Sequence, residues 1–241
     1  VKSEIFFNNP RFFDPTTEKQ EQNVFPLVLN NPETNYWTYE DAERIEHKPG
    51  KHIIETLCSF YAIDKPNLKC ELFFTDAEKE RAMFLKKQLR GEFIVIEPHS
   101  KQTYTPNRQY PINKWQEIVN KTRDKIQFVQ VGASGVGVLD GVTDFTGKTT
   151  FREAVALIKH AKLFLSSEGG LVHAATAVDT KSIVILTGYQ TLKMVQYPQN
   201  TYINIARHSP CGLKKHCKSC KSDAEVHNCG EVVKKIENHL Y

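Results

Sequence analysis

From Gly91 onward, short apolar runs alternate with amphipathic stretches. Phe93–Ile96, Ile126–Val131, Val142–Thr146, Leu163–Leu165, Ile183–Leu186 and Thr201–Ile205 predict strands. Between and after them, Ile112–Arg123, Thr150–Ala161, Gly169–Val178 and Glu231–Leu240 place apolar residues at helical spacing. In the first of these helices Ile112, Trp115, Ile118 and Val119 share one face, and in the second Phe151, Ala154, Val155, Ile158 and Ala161 do. Strands that are apolar throughout are covered on both faces, so the alternation predicts an α/β fold with a parallel sheet between helices. Ligands of such sheets bind beyond the carboxyl ends of the strands, where helix N-termini point.

Before Gly91 the pattern is irregular. Asn23–Leu29 predicts a strand interrupted by Pro26, and Asn30–Gly50 is polar and predicts loop. Lys51–Ala62 carries Ile53, Ile54, Leu57, Cys58 and Tyr61 at helical spacing, and Leu72–Phe74 predicts a short strand. Thr75-Asp76-Ala77-Glu78 matches a capping box, opening a helix to about Leu89 that turns Ala82, Phe84, Leu85 and Leu89 inward and ends at Gly91. The expected division is therefore 1–90 and 91–241, the second part including a Cys-rich segment at 208–229 and a terminal helix.

Composition narrows the class. Hydrophobic residues are 40% and charged residues 25% of 241, which excludes a disordered or collagen-like chain. A net charge of +4 is too mild to indicate nucleic acid as a partner. No apolar run reaches the roughly 18 residues of a membrane span, and Val1-Lys2-Ser3-Glu4 opens no signal peptide, so a cytoplasmic location is expected. The chain does not begin with Met, which suggests a fragment or a processed product.

Four segments carry candidate chemistry. Glu168-Gly169-Gly170-Leu171-Val172-His173 follows a strand and starts a helix, whose unpaired N–H groups suit a phosphate. A tight strand–helix turn with a buried histidine explains the same residues. Glu97–Pro111 is a long polar loop in which Ser100, Lys101 and Arg108 can hold a diphosphate, or simply meet solvent. Asp144–Thr150 is a glycine turn that places Lys148 and Thr149 before a helix; it lacks the upstream glycine of a P-loop. Cys211, Cys217, Cys220 and Cys229 have spacing that permits a structural zinc site, with disulfides or free thiols as the alternatives.

Taken in order, these blocks resemble glycosyltransferase family 9, the heptosyltransferase family. The matching residues are Pro98-His99-Ser100, Pro106-Asn107-Arg108-Gln109-Tyr110-Pro111 with Trp115, then Phe145-Thr146-Gly147-Lys148-Thr149-Thr150-Phe151, and Glu168-Gly169-Gly170-Leu171-Val172-His173. Glu168 stands where the family usually has Asp, and Ser209-Pro210-Cys211-Gly212 looks like the Cys-rich tail of a family subset. The resemblance is good over 91–241 and fainter over Lys51–Leu89.

The resemblance implies a GT-B fold, with a Rossmann-like C-terminal domain and, here, a shortened N-terminal α/β part on the acceptor side. It implies inverting, metal-independent transfer of a sugar from a nucleoside-diphosphate donor to a cell-surface glycan or glycolipid acceptor of the lipopolysaccharide type, at the cytoplasmic face and peripheral to the membrane. Arg108 takes the place of the family's phosphate-binding Lys, Thr149 sits where backbone contacts the base, and Glu168, Gly169, Gly170 and His173 occupy the sugar–diphosphate motif. The loop at Ser134-Gly135 lacks the acidic residue that binds ribose in typical heptosyltransferases. The front block that carries the general base is missing, and Asp14, Glu43 and Glu46 are the candidates to replace it. Two rival readings stand beside this one: a non-catalytic nucleotide-sugar-binding module, and a metal-stapled interaction protein.

Overall fold

The central strands of the main sheet send alternate side chains into two separate cores. The computed structural model describes residues 8–10, 37–39, 45–47, 51–59, 61–101 and 104–241, the strands at 37–39 and 45–47 by backbone alone. The elements are β1 (Trp37–Tyr39), β2 (Ile45–His47), α1 (Ile53–Ser59), α2 (Asp76–Lys86), β3 (Phe93–Glu97), α3 (Ile112–Thr122), β4 (Gln127–Gln130) and β5 (Thr143–Asp144). There follow α4 (Phe151–Ile158), β6 (Leu163–Ser167), α5 (Gly170–Ala177), β7 (Ser182–Leu186), α6 (Leu192–Val195), β8 (Thr201–Asn204), α7 (Lys218–Val226) and α8 (Gly230–Leu240). A 3-10 turn spans Pro106–Arg108.

The sheet is six-stranded and parallel throughout, in the order β5-β4-β3-β6-β7-β8. Phe93 and Val95 of β3 enter a core shared with α2, α4 and α5, while Ile94 and Ile96 enter the opposite core with α3 and α8. The chain runs outward from β3 in one direction, then returns to β6 and runs outward in the other. That reversal between β3 and β6 is the topological switch point, the crevice where ligands of open α/β sheets bind. Pairing there sets Glu97 opposite Ser166.

The predicted parallel sheet is present, and the differences lie outside its strands. The capping box of α2 forms as expected: Thr75 Oγ1 accepts the Glu78 N–H, and Glu78 Oε2 accepts the Thr75 N–H at 2.7 Å. The helix stops at Lys86, before Gly91, and Phe84 is exposed with Arg81 over its ring instead of facing the core. Ile112 is likewise exposed, because it lies in the first turn of α3 beyond the sheet's cover. Leu72–Phe74 forms no strand: Phe74 is a core residue, and the Phe73 carbonyl accepts from Arg152. The stretch expected as loop contains the antiparallel pair β1–β2, and the strand predicted over Asn23–Leu29 lies outside the described residues.

Although α2 precedes Gly91, it packs on α4 in the same core as the sheet. Arg152, on α4 and almost fully buried, binds both carboxylate oxygens of Glu78, with Nη2 to Oε2 at 2.9 Å. The Glu78 that caps α2 therefore also docks it, and Arg152 holds its carboxyl down at about 2.

Candidate functional site

The β6–α5 turn is built to bring backbone close to a ligand. Glu168 follows β6, Gly169 is the N-cap of α5, and no side chain caps that end. The N–H groups at the start of α5 are open to a ligand, and Gly170 is exposed there.

Arg108 meets this turn from the loop after β3. One of its nitrogens lies 2.9 Å from Glu168 Oε1, and the pair is nearly buried. The same terminal nitrogen donates to Gln190 Oε1 at 3.1 Å. The guanidinium sits against an edge-to-face pair of aromatic rings, 4.9 Å from the centroid of Tyr104 and 4.7 Å from that of Tyr189. Burial pushes the Glu168 carboxyl up, against the pull of Arg108. Arg108 Nε and Ser167 Oγ are buried with no hydrogen-bond partner among the described residues. Buried polar atoms are rarely left so, and Arg108 Nε marks a place for an oxygen-bearing ligand.

His173 lies one turn into α5. Its Nδ1 is 2.7 Å from the Tyr197 hydroxyl, which also lies 3.4 Å from Cys70 Sγ. Burial, with His52 and Arg108 nearby, brings His173 down to about 4, so the ring is neutral at physiological pH. His52 packs edge-on against Tyr197 from the start of α1. The Ile54 N–H donates to His52 Nδ1, so the neutral ring carries its proton on Nε2, a buried atom without a partner among the described residues.

Glu97 reaches the same turn. Its Oε2 lies 3.4 Å from Ser166 Oγ and would be 3.9 Å from a Cβ placed on Gly169. Burial pushes this carboxyl up to about 7, with the Ser166 hydroxyl pulling it back.

Arg108, Glu168, Gly169, Gly170 and His173 thus come together at the switch point. The other predicted residues do not join them. Lys148 turns back to Asp144, at 3.0 Å, and is exposed. Ser100 accepts the Gln109 side-chain amide through both its carbonyl and its hydroxyl. Lys101 is exposed, and Thr149 sits one residue before the N-cap of α4. Asp14 and Glu43 lie outside the described residues, and Glu46 is described by backbone alone. Residues not foreseen are Glu97, Tyr104, Tyr189, Gln190, Tyr197 and His52. Three of these follow β7, and only the fold brings that loop over Arg108.

The cysteines divide. The sulfurs of Cys211, Cys217 and Cys220 all lie within 4.8 Å of one another. Ideal tetrahedral zinc–thiolate bonds of about 2.3 Å would place them about 3.8 Å apart, so a small closure seats an ion. Hydrogen bonds from Cys220 and from the Leu213 N–H bring the Cys211 thiol down to about 7. A soft three-thiolate set suits zinc or iron. Cys229 is elsewhere, near Glu117 and Lys121 at the start of α8. Cys220 lies in the first turn of α7 and Cys229 beyond its end, a rise of about 9 Å along the helix. That helix was not predicted, which is why the fourth ligand was expected in the group.

No helix among the described residues is long and apolar enough to cross a membrane. The sequence model of glycosyltransferase family 9 (heptosyltransferase) matches residues 33–223. No curated protein sequence matches the chain. Among solved structures, E. coli ADP-heptose lipopolysaccharide heptosyltransferase II superposes with a TM-score of 0.62 at 15% identity, over 82% of this chain and 64% of that one. A family 9 glycosyltransferase from Veillonella parvula gives 0.60 at 12% identity, over 80% of this chain and 61% of that one. TibC, a dodecameric iron-containing heptosyltransferase, was solved with ADP-D-β-D-heptose and gives 0.60 at 13% identity, over 82% of this chain and 56% of that one. TibC comes from enterotoxigenic E. coli H10407. The chain thus spans about three fifths of the length of these proteins.

Proposed function

The chain belongs to glycosyltransferase family 9, and from that premise we propose that its switch-point crevice binds a nucleoside-diphosphate sugar for transfer to a glycan or glycolipid acceptor of the lipopolysaccharide type. The observation that carries this reading is the buried Arg108–Glu168 pair, its guanidinium against the rings of Tyr104 and Tyr189 and beside the uncapped start of α5. An anionic diphosphate suits that cation and those N–H groups, and Glu168 can accept hydrogen bonds from sugar hydroxyls.

In the reaction we infer, the acceptor oxygen attacks the anomeric carbon from the face opposite the diphosphate. The bond from that carbon to the diphosphate oxygen breaks, with inversion, and the acceptor proton passes to a general base. Arg108 and the start of α5 take up the charge that develops on the leaving diphosphate, which is the reason to propose that no metal is needed at this step. The donor side is assigned to 91–241 and the acceptor side to 1–90, with association at a membrane surface supplying the acceptor. The Cys211–Cys217–Cys220 group is proposed as a structural metal site apart from the chemistry. The iron of TibC makes iron a candidate beside zinc.

Calorimetric titration of the chain with ADP, GDP, UDP and CDP tests the donor site. ADP is expected to bind, because the TibC structure holds an ADP-sugar; binding of none of the four would overturn the proposal. The pH dependence gives a second check. A bound diphosphate raises the pKa of the Glu97 carboxyl beside it, so binding takes up a proton and affinity falls as pH rises above about 7. His173, already neutral, adds no inflection between pH 6 and 8. In Glu97→Gln the decline disappears; if it persists in that variant, Glu97 does not face the ligand.

A further inference from the structure

Asn107, immediately before Arg108, spends its whole side chain on the cysteine segment. Its Nδ2 donates to the carbonyls of Leu213 and Lys215, each at 2.8 Å, and its Oδ1 accepts the Cys217 N–H at 2.8 Å. Thr105 adds a hydroxyl to the Leu213 carbonyl at 2.8 Å, and the Thr187 hydroxyl fixes the Asn107 carbonyl at 2.5 Å. Asn107 and Thr105 are both buried. The segment they grip is the stretch between the first two thiols of the three-sulfur group.

The same group touches the other wall of the Arg108 site. Gly188 adopts a positive φ of 107°, and a Cβ there would lie 3.0 Å from Cys220 Sγ. The Cys211 N–H donates to the Gly188 carbonyl at 2.8 Å. Two residues on, the Gln190 carbonyl accepts the Ser209 hydroxyl at 2.7 Å, while its side chain accepts from Arg108. Tyr189, under the guanidinium, lies between them. Both loops that hold Arg108 are therefore pinned to the cysteine segment.

We propose that Asn107 is a positioning residue that ties occupancy of the Cys211–Cys217–Cys220 group by a divalent metal to the affinity of the Arg108 site for a diphosphate. This rests on the donor-site reading given above. Cross-linking the three sulfurs closes the segment from 211 to 220 and removes its freedom to move. The Leu213 and Lys215 carbonyls and the Cys217 N–H are then fixed where Asn107 meets them, and the backbone leading into Arg108 is fixed with them. Arg108 is pre-set for the ligand, and the ordering cost on binding falls. Such coupling is reciprocal: the ligand must tighten the metal by the factor by which the metal tightens the ligand.

The test uses the 241-residue chain, with Zn2+ and ADP as probes. ADP affinity is measured by calorimetry on zinc-loaded and chelated protein, and zinc affinity by chelator competition with and without saturating ADP. Co2+ absorbance reports thiolate coordination independently. About tenfold tightening is expected in both directions, within the usual range for coupled sites. Asn107→Ala should still bind one Zn2+ and still bind ADP, with coupling below about twofold. Asn107→Asp, which keeps the Cys217 bond and loses the two donor bonds, should fall between. Wild-type protein that binds both probes without mutual effect overturns the inference and leaves the donor site standing, as does coupling that survives in Asn107→Ala. Failure to bind Zn2+ also overturns it. Should another of the four diphosphates bind in place of ADP, it takes ADP's place as the probe; failure of all four to bind in either state overturns the donor reading and the inference with it. The wild-type reciprocal titration decides even if the variants fail to fold.

Discussion

Arg108→Ala weakens ADP binding by about 100-fold or more, the loss of about 3 kcal/mol expected when a charge-assisted contact is removed from a nearly buried site. The size follows from the surroundings. Arg108 lies against two tyrosine rings and is enclosed with Glu168, so its charge is screened far less than a surface arginine's. Arg108→Lys keeps the charge and loses the planar fork, and should recover part of the affinity. The alanine variant has a second effect that must be kept apart. It leaves the Glu168 carboxylate buried without its partner, which costs stability whatever the ligand does. The double variant Arg108→Ala, Glu168→Gln removes that buried charge. It should regain thermal stability and remain unable to bind. If the single variant binds ADP like wild type, Arg108 is a structural residue and the donor site lies elsewhere. His173→Ala should also lose binding, since the ring that holds Tyr197 against α5 is gone.

The sheet was legible because its strands are covered on both faces. Such strands are apolar at every position and stand out as unbroken runs, as Phe93–Ile96 and Ile183–Leu186 do. Elements that bury little were not legible. Helix α7 is Lys-Ser-Cys-Lys-Ser-Asp-Ala-Glu-Val, with only Cys220, Asp223 and Ala224 buried, and it has no apolar stripe to find. Phe84 misled for the opposite reason. It is apolar and at plausible spacing, but Ala82 and Leu85 already define the packed face of α2. In the site, Arg108 and the Glu168–His173 turn were found because chain-local patterns mark them. Tyr189, Gln190 and Tyr197 were not, because they follow β7 and meet Arg108 or His173 only after β7 is laid beside β6. The metal group was seen with one ligand too many, and α7 is the reason.

Arg152→Ala should destabilise the fold by about 3 to 5 kcal/mol, the cost of breaking a buried ion pair from one side. Arg152 is the only charged residue among the largest fully buried side chains of the described residues, and it makes a two-point contact with Glu78 and a further bond to the Phe73 carbonyl. Alanine leaves the Phe73 carbonyl and the Glu78 carboxylate short of donors and opens a cavity between α2 and α4. Urea unfolding followed by circular dichroism measures the loss; a change under about 1 kcal/mol would mean that α2 is held by its apolar contacts with Phe74, Ala82 and Leu85 alone. The same pair predicts how acid acts. Glu78 titrates at about 2 in the folded protein and near 4.5 when unfolded, so the folded state is favoured wherever Glu78 stays ionised. The contribution is complete above about pH 4.5 and is lost as pH falls through about 2. The full shift corresponds to about 3 kcal/mol, and solvent screening at the open edge of the carboxylate reduces it to about 2. Wild-type protein should therefore lose stability in that window by more than the double variant Arg152→Met, Glu78→Leu, in which no ion pair remains to be protonated. Equal acid sensitivity in the two proteins would place the acid response on other carboxylates.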